Sequence, residues 1–228
     1  MSNNELSSNK TNWNEKGISY MNEQNYEEAA KAFNAAIEEN PKDATAFINF
    51  GNLLGAVNDY ERALIFFDKA IELDEHAATA YYGAGTIYFK QDQFEEAAKM
   101  FKQALVEKLE EADVFFMLGM SYYQLGALPH ALANFKRAVE LDKSDVDARF
   151  QYGLTLAQLE QVEDAVVELE EVVKLAPEHA DAHFNLGVAY AYQENLTKAL
   201  QAFEEALRIQ PDHALAANGR KTVSEALQ

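Results

Sequence analysis

The sequence predicts an all-α protein: an α-solenoid of six 34-residue helix hairpins followed by a C-terminal capping helix. Residues that recur at three positions of a 34-residue repeat predict this fold. Two of these positions hold the same residue in all six repeats, which excludes coincidence. Glycine recurs every 34 residues, at Gly17, Gly51, Gly85, Gly119, Gly153 and Gly187. Alanine recurs at the same interval, at Ala29, Ala63, Ala97, Ala131, Ala165 and Ala199. Large apolar residues recur as well, at Phe33, Phe67, Phe101, Phe135, Leu169 and Phe203.

The repeats occupy residues 10–213 without a gap. They cover residues 10–43, 44–77, 78–111, 112–145, 146–179 and 180–213. Residues 1–9 are polar and aperiodic, so we predict a flexible tail there. Residues 214–228 begin like another first helix, but Lys221 stands in the glycine position and no second helix follows. We therefore predict a solubilising cap at the C-terminal end.

Each repeat is predicted to contain two short helices joined by a turn. In repeat 6, Leu186 and Tyr190 share one face of the first helix, and Ala199 and Phe203 share one face of the second. Pro211 ends that second helix, because the residue before a proline is disfavoured in helical conformation. A lone hairpin of this kind cannot bury its apolar faces, so the next hairpin has to cover them.

Small residues at the recurring glycine and at the alanine twelve residues later are expected to face each other and let the two helices approach closely. Repeat 5 departs most from the pattern, with Arg149, Leu169 and Val172 in place of an aromatic residue, phenylalanine and alanine. Looser packing is expected there. Residues 106–113 contain neither proline nor a turn signal. The second helix of repeat 3 is therefore expected to run about one turn longer than the others.

These spacings resemble the tetratricopeptide repeat (TPR) family, whose pattern places Leu-Gly and Tyr on the first helix and Ala, Phe and Pro on the second. The resemblance covers all six repeats. It implies a right-handed α-solenoid in which the first helices line a concave groove, and a role in protein–protein interaction. The chain is also similar to small bacterial all-TPR proteins that carry no catalytic domain, which implies a bacterial cytosolic scaffold.

Charge limits the classes of partner. The chain has 38 Asp and Glu residues against 19 Lys and Arg, a formal net charge of −19. This balance argues against binding nucleic acid, which requires basic surface, and against anionic membranes. It is consistent with two interpretations, solubility of a large exposed surface and selective attraction of basic partners.

The cellular compartment is predicted from what the sequence lacks. There is no cysteine, which suits a reducing cytosol. The N-terminus contains no apolar run typical of a signal peptide, and no stretch of eighteen apolar residues could span a membrane. We therefore expect a cytoplasmic protein.

The strongest candidate binding feature is a stripe at the fifth position of the repeats. It reads Asn14, Ile48, Tyr82, Phe116, Phe150 and Phe184. Apolar residues at regular spacing are more often core than ligand site. A contiguous apolar strip is nevertheless seldom left bare without a partner. Both interpretations stay open at this point.

Polar and flexible side chains accompany the stripe at the sixth and ninth positions. These residues are Asn49, Asn52, Thr86, Met117, Met120, Gln151 and Asn185. An amide offers both a donor and an acceptor and can pair with the main chain of an extended peptide. The family resemblance implies that role for Asn49, Asn52 and Asn185. Methionine repacks easily and suits a partner of variable sequence.

Acidic residues form a line at the second position of repeats 4 to 6. They are Asp113, Asp147 and Asp181. One interpretation is attraction of Lys or Arg on a partner. The other is local, because Asp in the first turn of a helix complements the helix dipole and caps free N–H groups.

A chaperone-tail clamp, as found in one TPR subfamily, is rejected. Asn49 matches the central residue of that clamp, but its basic positions are held here by Asn14, Thr79 and Gly83.

Catalytic, cofactor and metal sites are not predicted. Residues 82–85 begin like a dinucleotide-binding loop, but Tyr88 stands where the third glycine belongs. His179 and His183 lie four residues apart and could hold a metal, although the repeat pattern favours structural roles for both.

The predicted function is a non-enzymatic scaffold that binds a peptide segment of a partner protein in the concave groove. The expected partner is neutral to basic and carries apolar anchors. The alternative is a structural homo-oligomer that self-associates through the same surface.

Overall fold

The computed structural model describes residues 12–228; the predicted tail at residues 1–9 lies outside the described residues. The chain divides into two compact units, the first ending at Glu110 and the second running from Glu111 to Gln228. The described residues form thirteen α-helices and no strand, so the prediction of an all-α fold is confirmed.

The first unit contains three helix hairpins. Its helices are α1 (Trp13–Asn22), α2 (Tyr26–Glu39), α3 (Ala44–Ala56), α4 (Tyr60–Leu73), α5 (Ala78–Lys90) and α6 (Phe94–Val106). Within each hairpin the two helices pack on each other. Successive hairpins are joined by packing of α2 on α3 and of α4 on α5, and the first helices α1, α3 and α5 also touch in sequence.

The second unit repeats this arrangement and ends with an extra helix. Its helices are α7 (Ala112–Gln124), α8 (Leu128–Leu141), α9 (Val146–Gln158), α10 (Val162–Leu175), α11 (Ala180–Tyr192), α12 (Leu196–Ile209) and α13 (Ala214–Ala226). The last helix packs on both α11 and α12. Its buried residues are Ala216 and Val223, so one side of α13 covers the last hairpin.

The recurring glycine is matched by a large side chain, not by the alanine that we expected opposite it. A Cβ added at Gly119 would lie 2.7 Å from Cδ1 and Cε1 of Phe135, sixteen residues later. The same ring contact recurs in the other repeats with phenylalanine at this position. The six recurring alanines are fully buried. The helices approach closely, and the residue that lies against the glycine is a phenylalanine in five of the six repeats.

Repeat 5 is the exception to this contact. Its glycine, Gly153, faces Leu169, and an added Cβ would be 3.2 Å from Cγ of that leucine. This separation is larger than at any of the five glycine–phenylalanine pairs and agrees with the looser packing expected in repeat 5.

A left-handed residue at the fifteenth position closes every hairpin turn. These residues are Gln24, Asn58, Asp92, Gly126, Glu160 and Glu194, with φ between 58° and 70°. The N–H of the next residue then bonds back to the first helix, as in the 2.8 Å bond from Asn25 N to Tyr20 O. Because only Gly126 is a glycine, residue type does not indicate the positive φ of the other five.

The end of α6 differs from expectation. We predicted a second helix one turn longer in repeat 3, but α6 ends at Val106. Lys108 adopts a φ of 68°, and the N–H of Leu109 bonds to the carbonyl of Ala104 at 3.0 Å. This six-to-one bond satisfies a terminal carbonyl and stops the helix without glycine or proline.

Candidate protein-binding surface

The predicted binding residues lie on the first helices of the repeats. In the first unit they are Asn49 and Asn52 on α3 and Tyr82 and Thr86 on α5. In the second unit they lie on α7, α9 and α11. We call the side chains at the second, fifth, sixth and ninth positions of these three helices the first-helix surface of unit 2. It consists of Asp113, Phe116, Met117, Met120, Asp147, Phe150, Gln151, Leu154, Asp181, Phe184, Asn185 and Val188.

Asn49 is already engaged within the first unit. Its Nδ2 donates to Oδ1 of Asn14 at 3.1 Å, and Asn14 Nδ2 donates in turn to Oδ2 of Asp43 at 3.1 Å. Asp43 caps α3 by accepting from Thr45 N. Asn52, by contrast, is exposed. Of the two amides on α3, Asn52 is therefore the one better placed to meet a peptide main chain.

The fifth-position stripe differs along the first unit. Ile48 is only 8% exposed and belongs to the core. Tyr82 is half-buried, with its ring centroid 5.7 Å from that of Phe101. Thr86 is half-buried, and its hydroxyl donates to the carbonyl of Tyr82 at 3.0 Å.

In the second unit the stripe both packs and reaches the surface. Phe116, Phe150 and Phe184 are all half-buried. The ring of Phe116 lies 5.9 Å from Phe135, and that of Phe184 lies 6.0 Å from Phe203, measured between centroids. Phe116 and Phe184 thus each rest on the phenylalanine of their own hairpin, and all three stripe residues stay partly exposed. The stripe is therefore partly core, and binding of a partner at its exposed part stays a prediction.

Histidines cap the helices next to two of these rings. His179 Nδ1 accepts from Ala182 N at 3.2 Å, and its ring centroid is 4.6 Å from Phe150. His213 Nδ1 accepts from Ala216 N at 3.2 Å, and its ring centroid is 4.9 Å from Phe184. Accepting at Nδ1 places the proton of the neutral imidazole on Nε2. These histidines are structural caps for α11 and α13.

The histidine pair considered for a metal is occupied by internal bonds. His183 Nε2 donates to the carbonyl of Pro177 at 2.9 Å, while His179 caps α11. Across residues 12–228, no group of three or more His, Asp or Glu side chains is arranged to hold a metal ion.

The polar side chains at the sixth position are partly available. Asn185 Nδ2 donates to the carbonyl of Asp181 at 2.7 Å, a bond within α11 that leaves Oδ1 as an acceptor. Gln151, Met117 and Met120 are half-buried. This mixture of amide and thioether groups surrounds the aromatic stripe.

The acidic line does not cap helices. Asp113, Asp147 and Asp181 are exposed in the first turns of α7, α9 and α11. The cap of α9 is Asp145, which accepts from Ala148 N at 3.0 Å. The capping part of our local interpretation is therefore wrong, although the favourable position relative to the helix dipole remains. Asp181 also accepts a hydrogen bond of 3.2 Å from His213 Nε2.

Positive charge is nearly absent from these first helices. Helices α7 and α11 contain no Lys or Arg. Arg149 is the only basic residue of α9, its side chain is 11% exposed, and it pairs with Glu168 and donates to the carbonyl of Lys143 at 3.1 Å. The first-helix surface of unit 2 therefore has a negative potential that favours cationic groups.

Sequence reasoning missed the two most exposed apolar residues of α11. Val188 is 46% exposed and Tyr192 is 69% exposed, one helical turn apart. Together with Ala157, Val162 and Leu169 they line a pocket of about 120 Å³. Val188 occupies the ninth position, like Met120, so following that position beyond repeat 4 would have found it.

A polar network links repeats 5 and 6 behind this surface. The hydroxyl of Tyr190 donates to the carboxylate of Glu170. Lys198 Nζ lies 4.8 Å from the centroid of the Tyr190 ring and 3.8 Å from Oε1 of Glu170. Burial raises the pKa of Tyr190, and the bond to the Glu170 carboxylate raises it further. This tyrosine is therefore a neutral donor at physiological pH.

No helix among residues 12–228 is long and apolar enough to cross a membrane.

The tetratricopeptide repeat family matches the chain in overlapping segments. The matched residues are 14–78, 48–113, 82–148, 116–173 and 150–214. They contain all the predicted site residues of both units.

Similar proteins include YrrB, a TPR repeat-containing protein of Bacillus subtilis (strain 168). It is 59% identical over 39 residues. These residues span 17% of this chain and 19% of that protein. The crystal structure of YrrB, described as a TPR protein with an unusual peptide-binding site, superposes with a TM-score of 0.80 at 49% identity. That superposition covers 84% of this chain and 99% of the YrrB chain.

More distant structures share the fold alone. PilF of Pseudomonas aeruginosa superposes with a TM-score of 0.79 at 17% identity, covering 92% of this chain and 96% of that one. MamA superposes with a TM-score of 0.69 at 20% identity, covering 75% of this chain and 93% of that one.

Proposed function

The chain belongs to the tetratricopeptide repeat family, and on that premise we propose that it is a non-enzymatic scaffold that binds a peptide segment of a partner protein. The first-helix surface of unit 2 is the principal contact. Asn52, Tyr82 and Thr86 supply the corresponding contact in the first unit, with Asn49 in a secondary role because its amide already bonds Asn14.

One observation carries this proposal. The first-helix surface of unit 2 combines partly exposed phenylalanine and methionine side chains with exposed carboxylates, and its helices offer no free basic group. Apolar side chains of a partner would pack on the rings, while its Lys or Arg residues would meet Asp113, Asp147 and Asp181. The expected partner is therefore neutral to basic and has apolar anchors. The peptide-binding site described for YrrB, at 49% identity, supports a peptide as the ligand.

Site-specific photo-crosslinking in cells tests the proposal. A benzophenone side chain would replace Gln151 on the first-helix surface, and Val167, 60% exposed on α10, is the matched control. We expect adducts with other proteins at Gln151 and few at Val167. Equal yields at the two positions, or no adduct at Gln151, would rule out this surface as the binding site.

The same experiment separates the alternative of self-association. Adducts at Gln151 that contain only this chain would indicate a homo-oligomer, and light scattering over a dilution series would then show a change of mass. A constant monomer mass together with adducts to other proteins would support the scaffold.

A further inference from the structure

The pocket beside α11 is lined by Leu169, which stands in repeat 5 where the other repeats have phenylalanine. In repeats 2 and 6 the ring at the corresponding position reaches the first helix of the next hairpin. A Cβ at Gly83 would lie 2.4 Å from Cε1 of Phe67, and one at Gly219 would lie 2.6 Å from Cζ of Phe203. Leu169 is shorter than a phenyl ring. Repeat 5 differs at both partners of this contact, because the facing residue on α11 is Asn185 and not glycine, and a pocket lined by Leu169 and Asn185 lies beside them.

The shape of this pocket suits one small apolar side chain. Leu169 and Val162 are buried and form its floor, while Val188 and Tyr192 stand exposed at its mouth. Its volume of about 120 Å³ is below the roughly 150 Å³ of an engineered protein cavity that holds a benzene molecule. An aliphatic side chain such as leucine, isoleucine or valine therefore fits better than an aromatic ring.

Charge around the mouth determines what lies beside that side chain. Glu160 lines the pocket, and Asp181 lies exposed on the same helix as Val188. The first helices on either side, α9 and α11, have Arg149 as their only basic residue, and it is paired with Glu168. Lysine or arginine next to the apolar residue would meet Glu160, and a basic residue further along the segment would meet Asp181, about two helical turns from Val188, whereas acidic neighbours would be repelled.

We infer that this pocket anchors a single aliphatic side chain of the partner segment, flanked in that segment by lysine or arginine. The inference rests on the proposed function and deepens it. Its site residues are Ala157, Val162, Leu169, Val188 and Tyr192, with Glu160 as the acidic group at the mouth.

The test uses three fluorescein-labelled dodecapeptides and fluorescence anisotropy with the full chain. One peptide has a central leucine between lysines, the second a glycine between lysines, and the third a leucine between glutamates. Because burial of one leucine side chain changes affinity by about tenfold or more, the lysine-flanked leucine peptide should bind at least about tenfold more tightly than either other peptide.

Two variants locate the effect in the pocket. Leu169→Phe restores the residue found in the other repeats, so it should fill the pocket, keep the helical content and abolish the preference for leucine over glycine. Val167→Phe, an exposed change two residues away, is the matched control and should bind like the unmodified chain. Val188→Lys changes an exposed residue and should weaken binding of the lysine-flanked leucine peptide by about tenfold, even if Leu169→Phe fails to fold.

Several outcomes overturn the inference. These are equal affinity for the leucine and glycine peptides, no binding of the lysine-flanked leucine peptide, or a preference that survives both Leu169→Phe and Val188→Lys. If one of these outcomes is found and partner adducts at Gln151 persist in Leu169→Phe, the pocket assignment is wrong but the proposed scaffold function is retained. Loss of adducts at Gln151 in the unmodified chain would instead remove the proposed function itself.

Discussion

Replacing Gly119 by alanine is expected to destabilise the second unit, whereas the same change at Gly153 is expected to be close to neutral. The difference comes from the opposite side chain. A methyl group at Gly119 would lie 2.7 Å from two carbons of the Phe135 ring. At Gly153 the nearest atoms are Cγ and Cδ2 of Leu169, at 3.2 and 3.3 Å. The phenyl ring is fully buried, and in a close-packed interior its movement would displace neighbouring side chains.

Two opposing effects set the magnitude. Alanine is favoured over glycine within a helix by about 1 kcal/mol. Overpacking of a close-packed core costs about 1–3 kcal/mol. At Gly119 the 2.7 Å contact places overpacking in the upper part of that range, about 2–3 kcal/mol, and after the propensity gain we expect a net loss of about 1–2 kcal/mol. For Gly153→Ala a small shift of the leucine relieves the contact, and the result should lie within about 0.5 kcal/mol of the unmodified chain.

Urea unfolding followed by far-UV circular dichroism measures both changes. Because repeat arrays can unfold in more than one step, amide hydrogen exchange in α7 and α8 should accompany it and locate the loss. The double variant Gly119→Ala with Phe135→Leu supplies the control. If the ring is the cause, the two changes together should cost about 1 kcal/mol less than the sum of the single changes.

Equal destabilisation at Gly119 and Gly153 would refute the reasoning, because the opposite residue would then be irrelevant. Strict additivity in the double variant would refute it as well.

Two further predictions concern the turns and the effect of pH. Gly126→Ala should destabilise the fold by about 1 kcal/mol, because φ is 70° there, although nothing lies within 4 Å of an added Cβ. Glu194→Gly, at φ 59°, should stabilise the fold by somewhat less than that amount. The gain is smaller because glycine loses more conformational entropy on folding. Urea midpoints measure both, and a neutral Gly126→Ala would contradict the argument from backbone strain. Oε2 of Glu107 lies 2.8 Å from Nδ1 of His76, and the hydrogen bond and the charge of Glu107 raise the pKa of His76. This contact should therefore stabilise the fold fully below the unfolded pKa of about 6.5. The stabilisation should be lost as pH rises through the folded pKa. An NMR titration should give a lower pKa for His76 in Glu107→Gln, and an unchanged value would exclude Glu107 as the cause.

The fold could be predicted from the sequence because its core positions repeat in kind. The recurring glycine and alanine are present in all six repeats, and the recurring phenylalanine is replaced only in repeat 5, by Leu169. That regularity gives the helix pairs and the order of packing. It does not give the rotation of one helix about its axis, so the contact of Gly119 with Phe135, in place of alanine, could not be read from spacing.

The left-handed conformation of the turn residues could not be predicted from the sequence for a different reason. Glutamate, glutamine, asparagine and aspartate occupy five of the six positions, and only glycine is a clear signal of positive φ. The end of α6 was missed for the same reason, because Lys108 there adopts the conformation that glycine usually marks.

For the candidate site, the sequence placed Phe116, Phe150 and Phe184 on one row, but their half-buried state depends on partners from other helices. The amide of Asn49 donates its hydrogen bond to Asn14, 35 residues earlier, and no local pattern indicates this contact. The pocket beside Val188 is lined by Leu169, the residue at which repeat 5 departs from the pattern. Departures from a repeat consensus were therefore more informative than agreement with it, although their meaning required coordinates.

The ring of Phe67 touches the glycine of its own hairpin, Gly51, and also Gly83 on the first helix of the next hairpin. One side chain therefore packs both within its own hairpin and against the next one. Neither contact can be lost without exposing the ring to water, so the second and third hairpins should fold and unfold as one cooperative unit. A boundary for truncating or transplanting these repeats should consequently avoid the junction that Phe67 spans.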